Sequence, residues 1–240
     1  MLDIMHLDQR FTACDSVSAV EAVGREMLAS LYIADYVYTY YPSDFMTSKQ
    51  VAYECYSPRL AAWHAYFHQQ NFEALDSVGQ AVRSTVIPVL WSLSTLLQTG
   101  SEKEKVIYQA AIDYGLATGV SIPLHGPQGD LSILVIHHGD IEDFLRQHPA
   151  CLADVLVLLH CLHQAVSSLL GCDQVIQLTS REKECLTLTA HHKTPDEIAA
   201  ILKITKRTVN FHLENSNHKL GTKNKFQSVQ RALALAIIQV

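Results

Sequence analysis

Apolar residues between Ser16 and Ala34 recur every three or four positions, and the chain then loses that period. Spacing of this kind predicts an amphipathic helix, and the positions that carry it are Val17, Val20, Val23, Met27, Leu28 and Leu31. Residues 35–41 (DYVYTYY) and 50–56 (QVAYECY) are instead rich in aromatic and β-branched side chains. The turn-forming residues 42–44 (PSD) separate them, so we predict two strands that pair antiparallel.

Stretches with helical spacing and strand-forming stretches alternate up to residue 170. Residues 60–67 return to helical spacing, and residues 102–115 form an amphipathic helix that Gly115 closes. Residues 119–125 and 131–137 flank the turn sequence GPQG and predict a hairpin, before a last helix over 141–170. This order predicts an α+β fold, an α/β/α sandwich with an antiparallel central sheet. We expect this domain to span residues 1–170 and a short linker to span 171–177.

From residue 178 onward only short helices are predicted. Thr179 with Glu182, and Thr194 with Glu197, have the spacing of capping boxes that begin two helices. The helix at 195–202 is followed by a turn at 203–205, by a helix over about 206–219, and by an apolar last helix at 226–240. Two short helices joined by a tight turn predict an all-α helix-turn-helix domain over 178–240.

The balance of charged residues also changes near the predicted boundary between the two domains. Residues 1–173 hold 8 Lys and Arg against 19 Asp and Glu, whereas residues 174–240 hold 10 against 5. The basic end is therefore the part expected to touch a polyanion. Six cysteines without a C-x-x-C pair, and no leading signal peptide, predict reduced thiols and a cytoplasmic protein. The apolar run at 151–170 is interrupted by polar residues, so we expect a core or dimer-forming helix and no membrane span.

Residues 178–238 resemble the DNA-binding domain of LuxR-type transcription regulators along their whole length. The motifs L-T-S-R-E-K-E, K-T-x-x-E-I-A, T-V-N-F-H and K-L-G carry the resemblance. One departure is His192, where the family usually has a glycine that ends a helix; such a position favours a left-handed backbone. In the family the last helix pairs two DNA-binding domains, and packing within its own domain explains part of the same apolar stripe.

The predicted second helix of the helix-turn-helix has one apolar and one polar face. Val209, Leu213 and Leu220 lie toward the core, which leaves the opposite face free to enter a major groove. By their chemistry we expect three base-reading residues, Asn210, Phe211 and Glu214. Phosphate contacts are expected from Lys206, Arg207, Thr208, His212 and Lys219. Without the motif, an ordinary solvated helix explains these side chains equally well.

Residues 30–170 are similar to the autoinducer-binding domain of LuxR-type regulators that respond to N-acyl-homoserine lactones. The similarity rests on Trp63, on Asp76 thirteen residues later, on Trp91 fifteen residues after that, and on the Gly-rich segment 115–134. It implies that Trp63 donates its indole N–H to the lactone carbonyl, that Asp76 accepts the ligand amide N–H, and that Trp91 lines the pocket. It also implies a small-molecule signal and no other cofactor.

Several positions depart from the family. Phe67 replaces a tyrosine, Arg59 stands where the family often has another tyrosine, and Val135 stands where a Ser or Thr usually contacts the acyl carbonyl. Tyr56 is a candidate to replace the lost tyrosine through a shifted loop. The expected ligand set is therefore Tyr56, Trp63, Phe67, Asp76, Trp91 and Val135. A different acyl chain, weaker binding and another amide-like signal all stay open.

Catalytic and metal sites are not predicted. His160 with His163, and His137 with His138, could share a metal, but no nearby carboxylate in the sequence completes either set. The chain also lacks G-x-S-x-G and a phosphate-binding Gly loop. We therefore do not expect this protein to be an enzyme.

The function that these patterns indicate is a ligand-responsive bacterial transcription regulator. We expect a homodimer whose recognition helices meet successive major grooves of double-stranded DNA at an inverted repeat. Two alternatives stay open: a regulator of the same build that needs no ligand, and an antagonist that forms heterodimers with related regulators through residues 150–170.

Overall fold

The computed structural model describes residues 3–42, 51–127, 129–170 and 176–239. The chain divides into two compact units, one built from Met1–Gly126 and Asp130–Cys172 and the other from Pro127–Gly129 and Asp173–Val240. The predicted linker at 171–177 lies mostly outside the described residues, which resume at residue 176.

In the described part of the first unit, five strands form one antiparallel sheet in the order β2-β1-β5-β4-β3. The strands are β1 (Asp35–Tyr41), β2 (Tyr53–Tyr56), β3 (Val89–Ser92), β4 (Thr118–His125) and β5 (Leu131–His138). The predicted pairing of the first two strands is confirmed, with Tyr38 opposite Cys55. β2 begins three residues later than predicted, and residues 43–50 lie outside the described part.

Helices cover both faces of the sheet, which confirms the predicted α/β/α sandwich. One layer contains α1 (Ile4–Thr12), α2 (Val17–Ser30), α7 (Ile141–Gln147) and α8 (Cys151–Leu169). The other contains α3 (Ala61–Gln69), α4 (Ser77–Val82), α5 (Leu93–Thr99) and α6 (Glu102–Asp113). Of these helices, the sequence analysis did not predict α1, α4 and α5, nor did it predict strand β3.

The inner strand β1 is buried on both faces, which is why its sequence is rich in aromatic residues on both sides. Tyr36, Tyr38 and Tyr40 pack into the core with α1, α2 and α8, whereas Val37 and Tyr41 point to the opposite side. Successive strand residues alternate between faces, so one strand serves two separate cores.

The helix predicted over 141–170 is two helices. Pro149 lies between α7 and α8, and it lacks an N–H and disfavours helical geometry at the residue before it. His148 accordingly leaves the helical region, with φ −122° and ψ 66°. By length and composition α8 could cross a membrane, but within this fold nine of its residues are buried against the first layer and the sheet.

The second unit is helical throughout its described residues. Its helices are α9 (Ser180–Ala190), α10 (Pro195–Leu202), α11 (Lys206–Leu220) and α12 (Lys225–Ala234). Both predicted capping boxes are present, at Thr179 with Glu182 and at Thr194 with Glu197. The last helix ends at Ala234, earlier than predicted, because Ala236 takes a positive φ of 51° and the chain folds back to bury Ile238.

Candidate functional site

A cavity of about 180 Å³ lies between the sheet and helices α3–α6 and is partly open to solvent. Five of the six residues that the sequence analysis proposed as ligand contacts line it, although they come from four different elements. These are Trp63, Phe67, Asp76, Trp91 and Val135. Val135 faces the cavity from β5, between Val37 of β1 and Ser121 of β4. The largely apolar lining suits the acyl part of a small amphiphile.

Trp63 and Phe67 lie one turn apart on α3 and share a face. Their rings meet edge to face with centroids 5.6 Å apart, and Tyr114 contacts Trp63 at the same centroid distance. Within the described residues, the Trp63 indole N–H has no hydrogen-bond partner. An indole is a donor only, so this group is free to bind a carbonyl oxygen.

Trp91 is fixed by its neighbours in the sheet. It lies opposite Gly119, where an added Cβ would come within 2.3 Å of the indole ring, so only glycine leaves room for it. Its indole Nε1 donates to Ser121 Oγ at 2.9 Å. Trp91 therefore forms an apolar wall, because its single donor is already used.

Asp76 precedes α4 and lies against Gly79, where a Cβ would come within 2.4 Å of its carboxylate. Protein surrounds this carboxyl, and burial raises its pKa, an effect that the Gly79 amide and the Arg83 guanidinium only partly offset. A buried carboxylate gains from a further hydrogen-bond donor that a ligand supplies.

Tyr56 is outside the cavity lining, contrary to the proposal that a shifted loop brings it to the ligand. Its ring stacks on His64 with centroids 4.5 Å apart and an interplanar angle of 5°. Arg59 likewise points elsewhere, since its Nε donates to Asp35 Oδ2 at 2.6 Å. No tyrosine hydroxyl is restored to the cavity through this loop.

The sequence analysis missed several polar residues of the cavity wall, among them Glu54, His64, His68, Glu73 and His137. His64 and His68 are four residues apart on α3, and that spacing alone could have drawn attention to them. Glu54 comes from β2, so its approach to these histidines depends on the fold.

The three cavity histidines have different protonation behaviour. Burial lowers the pKa of His137 to about 4 and also lowers the pKa of His64. His68 is desolvated too, but hydrogen bonds to Glu54 and Glu73 raise its pKa. At neutral pH the cavity therefore offers neutral imidazoles at His64 and His137.

A chain of hydrogen bonds joins Ser132, His163 and Asp130 on the other side of the sheet. Ser132 Oγ lies 2.7 Å from His163 Nδ1, and His163 Nε2 lies 3.1 Å from Asp130 Oδ2. The sequence analysis did not associate a carboxylate with His163, because Asp130 lies on a different element. All three residues are buried, and none of them lines the described cavity, so the arrangement serves as a structural core network.

The eight proposed DNA contacts all lie on α11. Val209, Leu213 and Leu220 are buried beneath it, as predicted. On the other face Asn210, Phe211 and Glu214 are exposed, and Phe211 shows 58% of its surface. Lys206, Arg207 and Lys219 are exposed, whereas Thr208 and His212 are half-buried.

Two of these cations also have partners within the fold. Lys206 Nζ donates to Asp196 Oδ2 at 2.8 Å between two exposed side chains. Lys219 Nζ donates to Glu182 Oε2, also at 2.8 Å, and Glu182 is buried in the capping box of α9. Lys219 thus has a structural role that the sequence analysis did not assign.

Two families match the chain. Residues 21–166 match the autoinducer binding domain, and residues 176–232 match the bacterial regulatory proteins of the luxR family. Together they cover the cavity and the helix-turn-helix.

Individual proteins agree with these matches. The transcriptional activator protein AhyR of Aeromonas hydrophila is 30% identical over 185 residues, which are 74% of this chain and 70% of that protein. The putative HTH-type regulator y4qH of Sinorhizobium fredii is 28% identical over 178 residues, 74% of this chain and 55% of that protein.

Among solved structures, Escherichia coli SdiA superimposes with a TM-score of 0.71 at 23% identity, covering 99% of this chain and 98% of SdiA. SdiA in complex with octanoyl-rac-glycerol gives 0.72 at 24% identity over both whole chains. The chain therefore belongs to the LuxR family of quorum-sensing transcription regulators, with an autoinducer-binding domain and a helix-turn-helix domain.

Proposed function

We propose that the cavity binds an N-acyl-homoserine lactone or a similar acylated amphiphile, and that the bound protein acts as a dimer on inverted-repeat DNA. The proposal that the cavity binds such a ligand rests on one observation. Trp63 and Asp76, a hydrogen-bond donor and an acceptor, line the same largely apolar cavity. An acylated headgroup has a carbonyl that the indole can bind and an amide or hydroxyl proton that the carboxylate can accept.

The rest of the cavity suits an acyl chain. Trp91, Val135 and Phe67 supply apolar wall, and Val135 and Phe67 have no hydroxyl to offer to an acyl carbonyl. The structure of SdiA with octanoyl-rac-glycerol, an acylated glycerol, supports a ligand class wider than lactones. Neutral His137 is the polar group best suited to hydrogen-bond the part of a ligand that a Ser or Thr usually contacts.

Binding of the signal is expected to stabilise the first unit and to favour the dimer. A ligand that binds only the folded state raises stability by mass action, and an apolar chain adds contacts to the core around it. Two copies of α11, related by a two-fold axis, would then enter successive major grooves. In this mode the protein acts in the cytoplasm, where signal and DNA are both accessible.

The test is a titration of the purified full chain with acyl-homoserine lactones of several chain lengths and with octanoyl glycerol. We expect Asp76→Asn to weaken binding by about 1–3 kcal/mol, because a charge-assisted acceptor becomes a neutral amide. Trp63→Phe should remove about one hydrogen bond and keep the ring. Asp113→Asn, at an exposed position outside the cavity, is the matched control.

The outcomes separate the three functional hypotheses. Equal affinities in all variants would remove Trp63 and Asp76 from the site. Sequence-specific DNA binding that no extract or lipid alters would favour a regulator that needs no ligand. Failure to bind any DNA alone, together with capture of a related regulator, would favour the heterodimerising antagonist.

A further inference from the structure

Three side chains on one wall of the cavity have the composition and spacing of a metal site. Glu54 projects from β2, and His64 and His68 project from α3, and their donor atoms all lie within 4.8 Å of one another. Two histidines four residues apart on a helix, with a carboxylate from another element, form a set that zinc proteins use. We propose that Glu54, His64 and His68 bind a Zn²⁺ ion.

The distances fit one shared ion. Ligand atoms that bind zinc at about 2.0–2.2 Å in tetrahedral geometry lie roughly 3.3 Å apart. Glu54 Oε2 is 3.0 Å from His68 Nε2 and 3.7 Å from His64 Nδ1. The donor nitrogens of His64 and His68 lie within 4.8 Å of each other, so a rotation of the imidazole side chains toward Glu54 would enclose an ion.

His64 gives an independent indication of a missing partner. The residue is only 8% exposed, and its Nδ1 is buried without a hydrogen-bond partner among the described residues. An unsatisfied buried nitrogen costs free energy, and a metal ion would satisfy it. Tyr56 stacks on the ring and holds its plane, which limits the positions that Nδ1 can take.

His68 already has the outer partner of a zinc-bound histidine. Its Nε2 faces Glu54, while its Nδ1 makes a short contact with the Glu73 carboxylate. A second carboxylate on the far ring nitrogen orients a metal-bound imidazole and raises its basicity. The proposed zinc ligands are thus two histidines and one carboxylate, and Glu73 contacts the far ring nitrogen of His68.

Glu54, His64, His68 and Glu73 all line the cavity wall, so a fourth ligand can reach the proposed ion from the cavity. A water molecule or a ligand oxygen can occupy this position, as in zinc sites with three protein ligands. The proposed site does not depend on the identity of the signal, and it goes beyond signal and DNA binding.

The experiment measures zinc affinity of the full chain, stripped with a chelator and titrated with Zn²⁺ against a chromogenic zinc chelator. We expect one tight site in the wild type, weakened at least tenfold in Glu54→Gln, His64→Gln and His68→Gln. Glu73→Gln should weaken it about 10- to 100-fold. His160→Gln is the matched control, because His160 is exposed on α8 and its Nδ1 contacts its own helix.

A second measurement guards against variants that fold poorly. Zn²⁺ should raise the melting temperature of the wild type and of His160→Gln, and Co²⁺ should give the visible absorption of a four-coordinate ion with both. Equal zinc affinity in the wild type and Glu54→Gln, which is nearly isosteric, would overturn the proposal. So would a tight site that survives His64→Gln, since a two-ligand or cysteine site would then explain the binding.

Discussion

Some single residues lower the stability of this protein, and their roles explain why they are present. Asp76 is the clearest case, because burial raises the pKa of its carboxyl above the value it has in the unfolded chain. The folded state therefore binds the proton more tightly, and stability falls as the pH rises through the unfolded pKa of about 3.9 toward the folded pKa. At neutral pH the ionised carboxylate destabilises the ligand-free protein.

Asp76→Asn should accordingly act in opposite directions on stability and on signal binding. We expect a higher free energy of unfolding without ligand at pH 7, a smaller difference from the wild type near pH 3, and a smaller stabilisation on adding the signal. Urea unfolding at the two pH values, with and without ligand, measures all three. A ligand-free variant less stable than the wild type at pH 7 would contradict this account.

His192 is a second residue with a local cost. Its φ of 59° is the left-handed conformation expected where the family usually has glycine. His192→Gly should raise the free energy of unfolding by about 0.5–1 kcal/mol, because glycine has no Cβ clash at this φ. His191→Gly is the matched control: His191 has a φ of −79°, so glycine there should be neutral or destabilising. The same sign for both variants in thermal unfolding would argue against backbone strain.

At the scale of elements, an ion pair between a buried carboxylate and an exposed lysine joins two helices of the second unit. Glu182 lies in the first turn of α9, and Lys219 near the end of α11 donates to it at 2.8 Å. Burial would raise the pKa of Glu182, but the Lys219 ammonium and the Thr179 backbone N–H hold it below the usual value. The contribution of this pair is thus present above the unfolded pKa of about 4.3 and is lost as the pH falls through the lower folded pKa.

Lys219→Met should lower the free energy of unfolding of the second unit at pH 7 by about 1–3 kcal/mol, because Glu182 stays buried without its cation. Glu182→Gln should cost less, since an amide oxygen can still accept the Thr179 N–H. The loss in Lys219→Met should shrink as the pH falls below about 4. A loss that is independent of pH would point to packing of the lysine stem alone.

We expect the exposed face of α11 to contain some residues that read bases and others that contact phosphates. Glu214 is unfavourable near phosphates but can accept from a cytosine amino group, so Glu214→Ala should relax preference at one base pair per half-site by about 1–3 kcal/mol. Non-specific binding should stay equal or strengthen. Lys206→Ala should weaken binding to all sequences and reduce the salt slope by about one for the phosphate contact removed. Single-base operator variants at two salt concentrations measure both, and an unchanged profile for Glu214→Ala would remove its base-reading role.

At the scale of the whole molecule, the charge distribution and the proposed dimer symmetry lead to a prediction about the DNA site. The first 173 residues are strongly acidic and the remaining 67 are basic, so phosphate attraction is confined to the second unit. A dimer with two recognition helices related by a two-fold axis needs half-sites about 10 base pairs apart, in an inverted repeat.

Selection from random DNA should therefore return palindromic sites in the presence of the signal. The wild type and a variant with a polar substitution at Leu233, which is 37% exposed on α12, form a useful pair, because the family pairs its DNA-binding domains through this helix. We expect the variant to lose cooperative binding to the two half-sites but to keep binding to one. Selection of single asymmetric half-sites by the wild type would exclude the dimer.

The sequence by itself determined the features that depend on neighbours along the chain. Helix α6, the hairpin β4–β5, both capping boxes and the two faces of α11 follow from local periods and caps, because propensity and hydrogen bonding act over a few residues. The positions of Trp63 and Asp76 came from a resemblance of spacing. Only the tertiary structure decided which side chains distant in sequence come together: Glu54 meets His64 and His68 through strand–helix packing, and Asp130 meets His163 across 33 positions of sequence. Strand β3 and the short helix α4 were missed for the same reason. Segments of four to six residues are too short to show a clear periodic pattern, so their secondary structure depends on the sheet and the cavity wall against which they pack.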